Sequence, residues 1–275
     1  MGKAKIKKKS TLIDMTAMSD VTVLLLTFFM LTSTFLQKEP TIVYTPSSVS
    51  EEKVPMNNLV TILVSSADKS GKLEDPTVTE GKLFISFTGD VDSTLSSSVI
   101  RGMMLDKAVS VYNDQHKNNP ISITPNQRKA FMETNMIGAP FKALPALLDL
   151  SITERDKIQG DLTREDVGIP IDGNKDKNNN LNDFQVWCRA IYLVAKDIHD
   201  DKAVSAGLTP EEAKALEDLY NAVTKDGRGI AIKADKDTPF TTVEMVFDNL
   251  QTMNLNKFSL MTALTSEEEA SAPAK

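Results

Sequence analysis

The chain contains one cysteine, Cys188, and two histidines, His116 and His199, in 275 residues. A single thiol rules out an intramolecular disulfide and any thiolate metal cluster. Two histidines so far apart in sequence remove most of the common catalytic and metal-binding constellations. No Gly-rich phosphate loop is present, and the Ser-rich stretches have no partnered histidine. Basic charge is also scarce outside the first residues. Residues 1–9 hold five lysines (Lys3, Lys5, Lys7, Lys8, Lys9) and no acid; the whole chain is −7, so the remainder carries −12. A nucleic-acid binder needs a basic face on its folded part, and this body is acidic. The basic tip adjoins an apolar run, which makes lipid its expected neighbour. No active site or cofactor site is legible, and the chain reads as a non-enzyme.

That apolar run covers residues 17–36, AMSDVTVLLLTFFMLTSTFL. Twenty residues of helix span about 30 Å, the thickness of a hydrocarbon core. The only charge within it is Asp20; Lys38 and Glu39 mark its end, and Pro40 stops a helix. Lysines before it and an acidic bulk after it predict a single-pass anchor with a cytoplasmic N-terminus and the body outside. A cleaved signal peptide fits less well, because no A-x-A-like site follows and Asp14 and Asp20 interrupt the approach.

Asp20 is costly in that position. An acid at the centre of a spanning helix costs about 2.5–3.5 kcal/mol, and somewhat less near an end. It either snorkels to the interface or has a function there. On a helical wheel Asp20, Leu24, Thr27, Leu31 and Thr34 fall on one stripe, a seam suited to a helix bundle or a wet path. One charge falling through 100 mV releases about 2.3 kcal/mol, so a protonatable acid in such a helix can couple a gradient to movement.

Residues 37–58 lack helical period and are rich in Ser, Thr, Pro and acid, which predicts an extended linker. Residues 59–65 (LVTILVS) and 83–88 (LFISFT) are β-rich runs that predict a hairpin. Apolar spacing predicts helices over 97–117, 126–136 and 182–197. Thr209 and Pro210 open a further helix running to Thr224. A strand at 230–234, a helix at 241–253 and a strand at 258–262 close the fold, and an acidic tail at 266–275 reads as disordered.

Two stretches resemble one family. Residues 12–21, LIDMTAMSDV, followed by LLLTFFMLTS, resemble the membrane segment of the ExbD/TolR biopolymer-transport proteins. Residues 230–240, IAIKADKDTPF, with the helix after them and Lys257-Phe258-Ser259-Leu260-Met261-Thr262, are similar to that family's closing strand–helix–strand unit. The resemblance implies an inner-membrane subunit with one transmembrane helix (17–36) after a cytoplasmic tip (1–16). A periplasmic linker (37–58) would follow, then an α+β domain (59–265) of two helices on a small sheet. It implies Asp20 as the proton-coupling acid, with Leu24, Thr27, Leu31 and Thr34 facing the pore of a polytopic ExbB/TolQ-like partner. It further implies a homodimer within a hetero-oligomer and a TonB-like transducer, contacted through Ile42, Val43 and Tyr44. Two departures stand out. Ala17 replaces a proline usual before the acid, and the body is about twice the usual length, which implies a mostly helical insertion at about 92–207. The rival reading is a membrane-tethered periplasmic binding or scaffold protein, for peptidoglycan or a partner, in which Asp20 is incidental.

Within that insertion Asp172, Asn174, Asp176 and Asp183 follow the rhythm of a calcium loop. Lys177 stands where the loop's glycine belongs and Asp183 where a longer Glu belongs, so the expectation is a solvated Asn-rich loop without metal. Asp235 and Asp237 read as part of a turn and helix cap.

Overall fold

The computed structural model describes residues 15–32, 39–48, 59–66, 81–88, 97–178, 180–200, 220–226 and 229–264. The chain divides into two compact units, Met1–Lys38 and Glu39–Lys275.

In the first unit, helix α1 spans Met15–Thr32. Its threonine hydroxyls are satisfied internally: Thr22, Thr27 and Thr32 donate to the carbonyls of Ser19, Leu24 and Phe28 at 2.8–2.9 Å. From Met18 to Leu31 its large apolar side chains are exposed, from 49% at Leu25 to 86% at Leu31. Among the described residues, no helix is long and apolar enough to cross a membrane. Thr34, the last of the seam residues, lies outside the described residues.

The second unit is a sheet with helices, as expected of an α+β domain. Strands β1 (Ser47–Ser48), β2 (Leu59–Ser66), β3 (Gly81–Thr88) and β4 (Met136–Ile137) precede β5 (Ile230–Ala234), β6 (Ser259–Leu260) and β7 (Ala263–Leu264). The five-stranded sheet has the order β4-β3-β2-β5-β6, and β1 pairs with β7 apart from it. β2 and β3 form the predicted hairpin in antiparallel register, Ile62 opposite Ile85. β5 lies parallel beside β2, with Ile232 opposite Ile62, so the closing strand–helix–strand unit builds onto the hairpin.

The helices are α2 (Ser97–Gln115), α3 (Pro125–Met132), α4 (Leu144–Leu148), α5 (Ile152–Gln159), α6 (Asp183–Asp200) and α7 (Phe240–Thr252). Most of the helix predicted at 210–224 lies outside the described residues; its end is a π-helical turn at Ala222–Asp226. α3 stops at Met132, four residues short of its predicted end, because Met136 and Ile137 pair with β3 as β4.

Alternation along the strands sorts the sheet into two faces. Val60, Ile62 and Val64 of β2, Leu83, Ile85 and Phe87 of β3, and Ile230 and Ile232 of β5 face the main core with α2, α6 and α7. There Trp187, 1% exposed, stacks on Phe131 and Phe141 with ring centroids 5.9 and 5.1 Å away. α2, α3, α4 and α6 thus share one core with the sheet. Leu63 and Phe84 point to the opposite face, where they are fully buried with Val43, Met136, Leu162 and Val167. Burying each such side chain contributes about 1.5–3 kcal/mol.

Candidate functional site

Helix α1 carries Asp20, the acid expected to couple protons, and Leu24, Thr27 and Leu31 of the residues expected to face a pore. Asp20 is its one charged residue, in its second turn. Leu24, Thr27 and Leu31 line one shallow groove on its surface together with Val21, Leu25 and Phe28. Of the predicted stripe, Leu24, Thr27 and Leu31 share this groove, and Asp20 does not line it. Thr27 spends its hydroxyl on Leu24's carbonyl, and Asp20 is the one ionisable group of the helix.

The linker residues fare differently. Over 39–48 the segment expected to be a free tether is part of the folded second unit. Thr41 is 6% and Val43 8% exposed, whereas Ile42 is 70% and Tyr44 63%. Of the three apolar residues expected to meet a transducer, Val43 is committed to this chain's own core, because an extended segment lying on a sheet must turn alternate residues inward. Glu39 pairs with Lys233 at 2.7 Å, and the Lys236 N–H donates to the Tyr44 carbonyl at 2.8 Å.

The Asn-rich loop brings together Asp172 and Asn174 but not Asp183. The side-chain oxygens of Asp172, Asn174 and Asp176 each accept the backbone N–H two residues on, at 3.0–3.1 Å. The Asp183 carboxylate instead accepts the Phe141 N–H at 2.8 Å. Buried amides not singled out in the sequence complete the cluster. Asn249 donates to the Asp172 carbonyl at 2.8 Å and accepts from Asn182 at 3.0 Å. Gln185 donates to the Asn174 carbonyl at 2.7 Å and accepts from its side chain at 3.1 Å. Among the described residues no group of three His, Cys, Asp or Glu is placed to hold a metal. Amide pairing is what the cluster does: it ties α7 to the loop before α6.

Asp235 accepts from the Thr238 N–H at 3.0 Å through its carbonyl and from the Asp237 N–H at 3.4 Å through its side chain, the turn that was expected. The cap was not formed as expected, since Pro239 occupies the N-cap of α7 and no side chain bonds there. The other carboxylate of that turn, Asp237, is exposed, whereas Asp235 is buried.

An apolar helix holding one acid, ahead of an α+β unit closed by strand, helix and strand, defines a two-part class of chain whose distinctive chemistry sits in the helix. Residues 7–137 match the family of the biopolymer transport protein ExbD/TolR, the family that the sequence resembles. The match takes in α1, the linker, the hairpin, α2, α3 and β4; the second resembling stretch, at 230–262, lies beyond it. No curated protein and no solved structure matches. The family is one of transport proteins, and biopolymer transport is the class of function that the match supports.

Proposed function

We propose that this chain is the proton-responsive subunit of an inner-membrane complex that uses the proton motive force to drive a TonB-like transducer in outer-membrane transport. The observation that carries this reading is α1: a helix with its apolar side chains exposed and Asp20 as its sole charge. Such a surface has no stable place in water, and calls for lipid or for other helices. The apolar sequence continues past Thr32 to Leu36, giving the full run of residues 17–36 the length of a bilayer core. The lysines at 3–9 hold the N-terminus in the cytoplasm and set the acidic body in the periplasm.

In this reading Asp20 gains and loses a proton inside a pore formed by an ExbB/TolQ-like polytopic partner. Leu24, Thr27, Leu31 and Thr34 face that pore, and a second copy of the chain supplies a second helix. Protonation removes the charge that lipid-depth surroundings disfavour, and the helix pair shifts relative to the pore as the charge comes and goes. In this reading a transducer meets the exposed side chains of Ile42 and Tyr44, while Val43 is turned into the core.

The rival, a tethered periplasmic binder, needs only an anchor. Replacing residues 17–36 with a neutral apolar helix of equal length separates the two. The coupled reading expects energy-dependent uptake through outer-membrane receptors to be lost at normal membrane levels of the protein. Unchanged uptake would leave the tethered binder standing.

A further inference from the structure

The end of α2 and the start of α6 meet. The Leu181 N–H, two residues before α6, donates at 2.9 Å to the side chain of Gln115, the last residue of α2. Asn182 and Gln185 cap α6 reciprocally: the Gln185 side chain accepts the Asn182 N–H at 3.1 Å, and the Asn182 side chain accepts the Gln185 N–H at 2.8 Å. Asp183 then sends its carboxylate out of the helix to the Phe141 N–H at 2.8 Å. Across the junction the rings of Phe141, Tyr112 and His116 stack in turn, with centroids 4.9 and 4.1 Å apart. His116 directly follows α2, and its Nδ1 lies 3.0 Å from the Tyr112 carbonyl. Three segments thus converge on one half-buried carboxylate and one half-buried imidazole.

Each group sits at the helix end that suits its charged form. The last carbonyls of α2 favour a cation at His116, and the first N–H groups of α6 favour an anion at Asp183. The two also act on each other across the junction. His116 and Lys142 pull the Asp183 carboxyl down, against the larger effect of burial. Burial, and then the Asp183 charge, push the Tyr112 phenol up. Lys142, on the loop after β4, is exposed, as are Asp114 and Lys117, which flank His116 on its own segment. Lysine and exposed aspartate keep one charge between about pH 5 and pH 8, whereas imidazole changes its charge there. The cost of burying a charge at Asp183 is therefore offset by an additional cation only while His116 is protonated.

We propose that the junction of α2, the Phe141 loop and α6 is a pH-sensitive clamp, tight while His116 and Asp183 carry opposite charges and looser once rising pH discharges His116. α2 belongs to the family-matched part of the chain and α6 to the part beyond it, so the grip between the two parts answers to the pH around the domain. The clamp stands independently of whether Asp20 couples protons.

Two amides cross the junction and report on it: the Leu181 N–H bonded to Gln115 and the Phe141 N–H bonded to Asp183. The Val186 N–H, bonded to the Asn182 carbonyl at 2.9 Å within the first turn of α6, reports on the helix alone. Hydrogen exchange is measured by NMR on the full chain in detergent micelles, at about pH 5.5 and about pH 7.5, and corrected for intrinsic rates. Leu181 and Phe141 are expected to exchange about two- to fivefold faster at the higher pH, the worth of a partly exposed charge pair, with Val186 unchanged. His116→Gln abolishes this difference by making Leu181 fast already at the lower pH, and Asp183→Asn abolishes it too. His116→Lys keeps a cation at both pH values and is expected to hold Leu181 slow at both. If Asp183→Asn does not fold, the two His116 variants decide. Equal corrected rates at the two pH values in the unaltered chain overturn the proposal, as does an acceleration that Val186 shares. An acceleration of Leu181 that persists in His116→Gln also overturns it, because Asp183 would then be acting without its partner.

Discussion

Asp183 begins α6 with its carboxylate turned toward the Phe141 N–H, half-buried beside Tyr112. Burial pushes its pKa above the ordinary carboxylate range, against the opposing pull of the Phe141 N–H, His116 and Lys142. The folded state therefore holds this proton more tightly than the unfolded chain does. Stability is lost as pH rises from the unfolded carboxyl pKa, about 3.9, through the higher folded value. Asp183→Asn keeps an acceptor for Phe141 and removes the charge. Its stability relative to the unaltered protein is expected to be near parity at pH 3 and to improve as pH rises to 7, as read by denaturant unfolding. A difference that shrinks with rising pH would refute this. Two buried arginines resolve the burial problem otherwise. Arg101 donates to the carbonyls of Phe87 and Met132 at 3.1 and 3.0 Å, and Arg155 to that of Ala130 at 2.9 Å. Met132 and Ala130 lie in the last turn of α3, where the helix dipole places negative charge, so its end carbonyls help hold two cations, and Arg155 donates also to the Thr134 hydroxyl. Desolvation lowers the pKa of both.

At the scale of elements, the loop before α6 spends its side-chain oxygens on backbone N–H groups and is tied to α7 by paired amides. Asn249→Ala removes the donor to the Asp172 and Met245 carbonyls and leaves Asn182 short of an acceptor. It is expected to cost about 1–3 kcal/mol in denaturant unfolding, with added calcium restoring none of it. Recovery in calcium would reinstate the loop as a cation site. The sequence was most readable where a single period ruled a long segment. The hairpin, α2, α6, β5 and α7 all lie within a few residues of expectation, because alternation or helical spacing there coincides with burial. α3 and α5 carried signals of another kind. Thr124 with Gln127 and Ser151 with Glu154 each form a capping box, a four-residue pattern carried by the sequence itself. β1, β4 and β7 are two residues each and exist only through their partners, so no local pattern announces them. The burial of Val43 was illegible for the same reason: its seat is built by residues 20 to 124 positions further along the chain. Of the candidate site, the shared groove of Leu24, Thr27 and Leu31 was legible because it needs only one helix, while the bond between Asp183 and the Phe141 N–H, 42 positions apart, was not.

At the scale of the whole molecule, the two units divide the work. The first presents an apolar helix with one acid, and the second a sheet whose second face is closed by the chain that leads from that helix. The most direct measurement of the central claim is energy-dependent uptake through outer-membrane receptors in the native host, with Asp20→Asn in place of the unaltered chain at equal membrane levels. Asn matches Asp in size and polarity but cannot cycle a proton. The account predicts that uptake falls to the level seen when the proton gradient is collapsed, while the protein still inserts and retains its polytopic partner. Uptake at the unaltered rate would contradict it.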